Sequence, residues 1–311
     1  MTLAKSVSNA TRFNEWRDTK LAFFFIFFAI YYPSSNFFQN IYELISGLIF
    51  VSVCLSLGHI ANNISDISQD LLAGKIVVNL KIQRAIFIVL IILLLVYSVH
   101  YTVDLTSFLI IIFSFFLGTS YSKKPFRFKE RGLLGIIVGG ISQRILPLLP
   151  IAYYWKVVPS VWLYFCVLFF ISFRQMIVHQ IKDYQNDLDS HTNTFVTDIG
   201  ISTSKIIVST ISIIEMSTLI KWLIDLSNIF PLVVFLIFLA LLACKATQKS
   251  TYWQKLSLTS SSRYPLSDFY FLLLPILSCL FVSPPLTYIY LILVIIFQKY
   301  FLSEFVYIFR R

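Results

Sequence analysis

Apolar stretches long enough to cross a membrane recur along the whole of this 311-residue chain. Hydrophobic residues make up 58% of the sequence and charged residues only 13%, and a soluble domain of this size has too little interior to bury so much apolar surface. Runs such as residues 86–96 lack the period-two alternation of a membrane β-barrel. The sequence therefore predicts an all-α fold: a polytopic membrane helical bundle around a central cavity, with residues 1–311 as a single domain.

The bundle is predicted to contain nine or ten transmembrane helices, since a crossing needs about 20 apolar residues. The last two apolar segments are separated only by Ser283-Pro284-Pro285, so a re-entrant hairpin is an alternative to two crossings. The predicted spans are about 20–37, 41–61, 83–100, 104–121, 133–154, 160–182, 204–224, 229–245, 268–283 and 286–303.

Lysine and arginine are concentrated in alternate loops, which contain most of the residues behind the net charge of +10. By the positive-inside rule these loops, and the N-terminal segment 1–18, are cytoplasmic. The charge thus indicates orientation, and no nucleic-acid partner and no obligate protein partner is expected. We predict a multi-pass protein of a bacterial or organellar inner membrane, surrounded by lipid.

The first polar cluster ends the second predicted span. Asn62, Asp66 and Asp70 follow an i, i+4, i+8 spacing and therefore share one face of a helix. Their oxygens are hard ligands suited to Mg²⁺. A solvated helix end with capping residues is the alternative interpretation of this cluster alone.

The second cluster ends the sixth predicted span, where Asp183 and Asp187 repeat the four-residue spacing. Gln175 and His179 continue the same face into the membrane, with Gln180 beside them. Polar residues within a span usually face a bundle interior or a wet cavity. Because both clusters fall on the cytoplasmic side, they predict one shared Mg²⁺–diphosphate site open to the cytoplasm.

Basic residues supply the opposite charge in the loop between the fourth and fifth spans. Tyr121, Lys123, Lys124, Arg127 and Lys129 follow one another closely there, although positive-inside anchoring would explain the same lysines. Arg144 is the deepest charge of the chain and must face the bundle interior or water. Contact with a substrate or pairing with an acid is expected of it.

At these positions the chain resembles the UbiA superfamily of intramembrane prenyltransferases. The family motif N-D-x-x-D-x-x-x-D is matched by Asn62-Asn63-x-x-Asp66-x-x-x-Asp70, with Asn63 in place of the usual aspartate. The family motif D-x-x-x-D is matched by Asp183 and Asp187, and the 121–129 loop is similar to the family's Tyr/Pro/Arg/Lys loop.

The resemblance implies Mg²⁺-dependent transfer of an isoprenoid group from a prenyl diphosphate to an aromatic or other lipophilic acceptor, through an allylic carbocation. It implies that Asp66, Asp70, Asp183 and Asp187 are catalytic and, with Asn62, bind the metal. The same resemblance suggests the basic-loop residues Lys123, Lys124, Arg127 and Lys129 for the diphosphate. The expected acceptor and pocket residues are Tyr121, Arg144, Gln175, His179 and Gln180.

Two alternatives remain open at this point. A membrane terpene cyclase would use the same metal–diphosphate chemistry, with the donor's own double bond attacking the cation. A transporter is disfavoured because carriers place their acids near the bilayer midplane on broken helices, whereas these acids lie at span ends.

Overall fold

The computed structural model describes residues 3–32, 36–72, 78–190, 192–246 and 266–298, which form helices joined by short connections. Within these ranges there is no β-strand, and a single parallel bridge joins Gly132 to Thr194. The α-helices are α1 (Leu3–Thr11), α2 (Phe13–Tyr31), α3 (Phe37–Leu72), α4 (Leu80–Tyr101), α5 (Leu105–Ser120), α6 (Gly132–Arg144), α7 (Leu149–Tyr154), α8 (Val158–Asp189), α9 (Phe195–Ile199), α10 (Ile201–Asp225), α11 (Phe230–Ala246), α12 (Leu274–Leu277) and α13 (Leu286–Phe297).

Membrane-spanning length is reached by parts of four helices in the described ranges: Phe37–Ile67, Leu80–Tyr101, Ser160–Asp189 and Ile201–Asp225. Shorter apolar helical segments cover Leu105–Ser120, Phe230–Ala243, Phe269–Phe281 and Leu286–Phe297. The all-helical, membrane-type fold is thus confirmed. The count of nine or ten crossings and the single domain over 1–311 stay predictions.

Several predicted boundaries differ from the observed helices, most clearly those of the first and fifth spans. The first span, placed at 20–37, is observed as α2 and ends at Tyr31, because Tyr32 before Pro33 adopts an extended conformation. The N-terminal segment 1–18 is also largely helical, since α1 covers Leu3–Thr11 and α2 begins at Phe13. The fifth span, placed at 133–154, is interrupted between α6 and α7, where Pro147 removes a backbone donor.

α2 forms the centre of the bundle. No residue from Leu21 to Ala29 is more than 5% exposed, as expected for a helix that is apolar all round. It packs against α3, α6 and α13, and the Tyr164 hydroxyl of α8 donates to the Phe23 carbonyl oxygen at 2.7 Å. α2 therefore holds the two motif-bearing helices, α3 and α8, around a common core.

α4 and α5 lie at the periphery and expose apolar side chains. Val89, Ile92 and Leu95 of α4 are each more than half exposed. Such a continuous apolar surface on a helix of this length is suited to hydrocarbon rather than water. α4 and α5 therefore supply part of the lipid-facing surface of the bundle.

Candidate active site between α3 and α8

A cavity of about 1370 Å³ opens between α2, α3, α5, α6 and α8. Asn62 and Asp66 of α3 line it, and so do Asp183 and Asp187 of α8. α3 remains helical to Leu72, so the four-residue spacing does place Asn62 and Asp66 on one face of this helix. The structure thus brings residues from both acidic clusters to one cavity.

The first cluster is held by the loop that follows α5. Asn62 Oδ1 accepts a hydrogen bond from the Ser122 hydroxyl at 2.5 Å. Asp66 Oδ1 forms an ion pair with Lys129 Nζ and lies 3.7 Å from Arg127 Nη2. Asp70 belongs to α3, but its side chain lies outside the described part of the chain.

Asn63, which replaces the acid of the family motif, does not contribute to the cavity lining. Its Nδ2 donates to the Ala10 carbonyl oxygen at 2.8 Å and so connects α3 to α1. The neutral amide at this position therefore has a structural contact of its own, which a carboxylate without a donor could not make.

The second cluster is held by its own helix and by the loop that follows it. Asp183 Oδ2 lies 2.7 Å from His179 Nδ1, and Asp187 Oδ2 accepts from the Thr194 hydroxyl at 3.3 Å. Thr194 forms the backbone bridge to Gly132, which connects this loop to the end of the basic loop. Gly132 has φ +52, a conformation in which a larger residue would be strained.

Tyr121 and Lys129 lie between the two clusters. Burial raises the pKa of Tyr121, and the carboxylates of Asp66 and Asp187 raise this pKa further. Lys129, which pairs with Asp66, also acts electrostatically on Asp187. The Tyr121 phenol and the Lys129 ammonium therefore interact electrostatically with acids of both motifs, which indicates that the two motifs face a shared space.

The four predicted basic residues have different positions. Lys129 lines the cavity, and Arg127 reaches Asp66 while also pairing with Glu130 at 2.7 Å. Lys123 and Lys124 are exposed and are not part of the cavity lining. Half of the basic-loop set thus reaches the acids.

Deeper in the cavity, Arg144 has neutral partners instead of an acid. Its Nη1 donates to the Ser172 hydroxyl at 3.0 Å and its Nη2 to Gln175 Oε1 at 2.5 Å. Its guanidinium lies 5.2 Å from the centre of the Phe23 ring. Gln180 lines the cavity as well, with its Oε1 accepting from the backbone N–H of Val196 at 3.3 Å.

Sequence reasoning missed several residues of this site. Ser122, which contacts Asn62, lies inside the basic loop but was not singled out, and Ser172, which contacts Arg144, is a single hydroxyl with no motif around it. Lys20 and His59 also line the cavity, with Lys20 Nζ 2.9 Å from His59 Nε2. Only the position of Ser122 inside the basic loop could have indicated it in advance.

The donor chemistry of the two clusters suits a hard cation. Among the described residues no three His, Cys, Asp or Glu side chains converge as a ready-made metal site. Mg²⁺ keeps several waters and is commonly bound by one or two carboxylates together with phosphate oxygens. Asn62 and Asp66 on one wall, and Asp183 and Asp187 on the other, fit that pattern.

Comparison with known proteins gives a family and a fold. A model of the UbiA prenyltransferase family matches residues 21–261. A UbiA homolog from Archaeoglobus fulgidus is similar in structure, with a TM-score of 0.57, 16% identity, and coverage of 96% of this chain and 98% of that one. The same comparison finds structures of that homolog bound to GPP and Mg²⁺ (TM-score 0.55, 15% identity) and to DMAPP and Mg²⁺ (TM-score 0.53, 15% identity), each with the same coverage. No curated protein matches the chain.

Proposed function

Because the chain belongs to the UbiA prenyltransferase family, we propose that it transfers an isoprenoid group from a prenyl diphosphate to a lipophilic acceptor. One observation carries this proposal: acids from α3 and α8 line one cavity together with Lys129, which pairs with Asp66. The printed ligands of the similar structures, GPP or DMAPP with Mg²⁺, agree with it. We further propose that the site opens to the cytoplasm, since the basic loop lies beside it.

The diphosphate would lie between the two acidic clusters. Mg²⁺ held by Asn62, Asp66, Asp70, Asp183 and Asp187 would supply positive charge that stabilises the departing diphosphate. Bringing two sets of carboxylates together without cations costs several kcal/mol, on the order of what Coulomb's law gives at intermediate dielectric. This cost makes the paired motifs a receptor for cations and, through them, for phosphate oxygens.

The chain's own groups would assist the breaking of the C–O bond. Lys129 and Arg127 provide fixed positive charge beside Asp66, and the neutral phenol of Tyr121 provides a hydrogen-bond donor. The apolar walls exclude water, which would otherwise capture the allylic cation. We propose that His179, which contacts Asp183 at the mouth, accepts the proton that the acceptor loses.

The polar wall around Arg144 favours a transferase over a cyclase. A cyclase needs a chamber for the donor alone, whereas Arg144, Ser172 and Gln175 form a hydrogen-bonding surface away from the acids. A buried cation with neutral partners is suited to an acceptor that bears an anionic or strongly polar group. The position of the acids at helix ends also separates this site from those of carriers.

Loss of the acids tests the proposal. We expect Asp66→Asn or Asp187→Asn to abolish diphosphate release from prenyl diphosphates in Mg²⁺, and EDTA to stop the wild-type reaction until Mg²⁺ is restored. Asp225→Asn, on the exposed end of α10, is the matched control. Full activity of either site variant, or activity insensitive to EDTA, would exclude the mechanism.

A further inference from the structure

Two glycines lie at the same depth on neighbouring walls of the cavity. Gly58 of α3 comes four residues before Asn62, and Gly118 of α5 comes four residues before Ser122. The Ser122–Asn62 hydrogen bond joins the two walls at the level of the first motif. A step of four helical residues is about 6 Å, so both glycines lie one turn deeper than that bond.

Neither glycine is required by its backbone conformation or by close packing. Both are in helix interiors without positive φ, where alanine forms the better helix. A Cβ built on either one would meet no heavy atom within 4 Å. By contrast, a Cβ on Gly139 of α6 would come within 2.8 Å of Tyr121 and Met176. The missing side chains of Gly58 and Gly118 therefore leave open space that belongs to the cavity.

Beyond these glycines the cavity becomes apolar. Cys54 and Phe50 of α3 line the cavity further inward, and Ile111 and Phe115 of α5 line it beside them. This arm of the cavity runs about 18 Å along α3 from Asn62 to Phe50. The arm is lined by α3 and α5, whereas the polar wall around Arg144 belongs to α6 and α8, so the two sides of the cavity are suited to different chemical groups.

We infer that Gly58 and Gly118 are specificity-determining residues that admit the hydrocarbon tail of the donor into the apolar arm between α3 and α5. This inference rests on the proposed function, because the diphosphate must lie at Asn62 and Asp66 for the tail to enter at the next turn. Their open space lets a tail of several isoprene units pass. A larger side chain at either position restricts the site to short donors.

The test measures binding, so it needs no acceptor. Dissociation constants are determined in Mg²⁺ for inorganic pyrophosphate and for dimethylallyl, geranyl, farnesyl and geranylgeranyl diphosphate. We expect Gly58→Leu and Gly118→Leu to raise the dissociation constants of geranyl and longer diphosphates about tenfold or more, as is typical when an apolar pocket loses room for part of a ligand. Pyrophosphate and dimethylallyl diphosphate should bind as they do to the wild type. Ile112→Phe, on the exposed side of α5, adds bulk outside the cavity and serves as the control.

The outcomes separate the two proposals. An unchanged length profile in both leucine variants, with pyrophosphate still bound, overturns the role of the glycines and leaves the proposed function standing. A wild-type protein that binds neither pyrophosphate nor any prenyl diphosphate in Mg²⁺ overturns the proposed function and this inference together.

A smaller substitution gives a second test in case leucine disturbs folding. Gly118→Cys, in a background with the four native cysteines changed to alanine, is a smaller change, and its Cβ would meet no heavy atom within 4 Å. We expect geranylgeranyl diphosphate with Mg²⁺ to slow labelling of this thiol by a membrane-permeant maleimide, and pyrophosphate with Mg²⁺ to leave the rate unchanged. Equal labelling with and without the long donor contradicts the inference.

Discussion

The buried ion pair between α8 and α10 offers a stringent test of how the site is held. Arg174 Nε donates to Glu215 Oε2 at 2.7 Å, and Arg174 Nη2 lies 3.4 Å from Glu215 Oε1. Both side chains have no exposed surface. Arg174 precedes Gln175, the partner of Arg144, so this pair fixes the rotation of α8 next to the polar wall of the cavity. We predict that Glu215→Gln destabilises the folded protein strongly.

The magnitude follows from the burial of both charges. Removing one partner of a buried pair leaves the other charge uncompensated, which costs about 3–5 kcal/mol. An exposed pair four residues apart on a helix contributes only about 0.3–0.5 kcal/mol. Lys221 and Asp225 on the same helix, 62% and 44% exposed, form such a pair. Asp225→Asn is therefore the matched control.

The assay is the free energy of unfolding, measured by titrating purified protein in mild detergent with a denaturing detergent. We expect Glu215→Gln to lower it by about 3–5 kcal/mol and Asp225→Asn by less than about 0.5 kcal/mol. The double variant Arg174→Met/Glu215→Leu should regain much of the loss, because no charge remains buried. Equal small losses in Glu215→Gln and Asp225→Asn would refute the reasoning.

Two further predictions concern the charges and the phenol at the mouth of the cavity. Lys129→Met should lower kcat/KM for the prenyl diphosphate on the order of a hundredfold, because it removes fixed positive charge beside Asp66. Lys205→Met, at an exposed position of α10, should leave kcat/KM unchanged. Similar kinetics of the two variants would contradict this role of Lys129. Since burial and the neighbouring acids raise the pKa of Tyr121, its phenol remains protonated at and above the ordinary tyrosine pKa of about 10. The pH–rate profile of the wild type should therefore show no ionisation of this phenol up to about pH 10. Tyr121→Phe should lower kcat about tenfold at every pH. A fall in rate below about pH 10 that is present in the wild type and absent from Tyr121→Phe would show that the phenol ionises there.

The helical face of the first motif could be predicted from sequence because helix geometry is local. No proline interrupts the chain between Gly58 and Leu72, and the four-residue spacing of Asn62, Asp66 and Asp70 has only one simple helical interpretation. α3 indeed continues to Leu72. The class of fold followed from composition for a similar reason, since apolar content constrains the environment without any knowledge of topology.

Helix boundaries were less predictable because hydropathy does not report backbone hydrogen bonding. Residues 133–154 are apolar throughout much of their length, yet the helix ends at Arg144 and begins again at Leu149. Pro147 was the available signal, and an average over apolar residues conceals it. This break matters to the site, since it leaves Arg144 at the end of α6, facing α8.

Side-chain partners could not be predicted because they depend on contacts distant in sequence. Arg144 was expected to meet a substrate or an acid, and it contacts Ser172 and Gln175 on another helix. Equally, Lys124 and Lys129 are the same residue type in the same loop, so the sequence does not show which of them reaches the acids. The backbone determines this: Arg127 adopts a left-handed conformation, after which Lys129 is directed to Asp66.

One cavity-lining stripe of α3 combines the chemical properties that a prenyl diphosphate requires. From the mouth inward, at steps of four residues, it presents the carboxylate of Asp66, the amide of Asn62, the bare backbone of Gly58, and the thiol and ring of Cys54 and Phe50. A carboxylate is costly at the centre of a bilayer, by about 2.5–3.5 kcal/mol, and much less so at a helix end. Hydrocarbon has the opposite preference. The same gradient that allows α3 to sit in a membrane would therefore orient an amphiphilic donor as we propose, with its diphosphate at the mouth and its tail in the apolar arm.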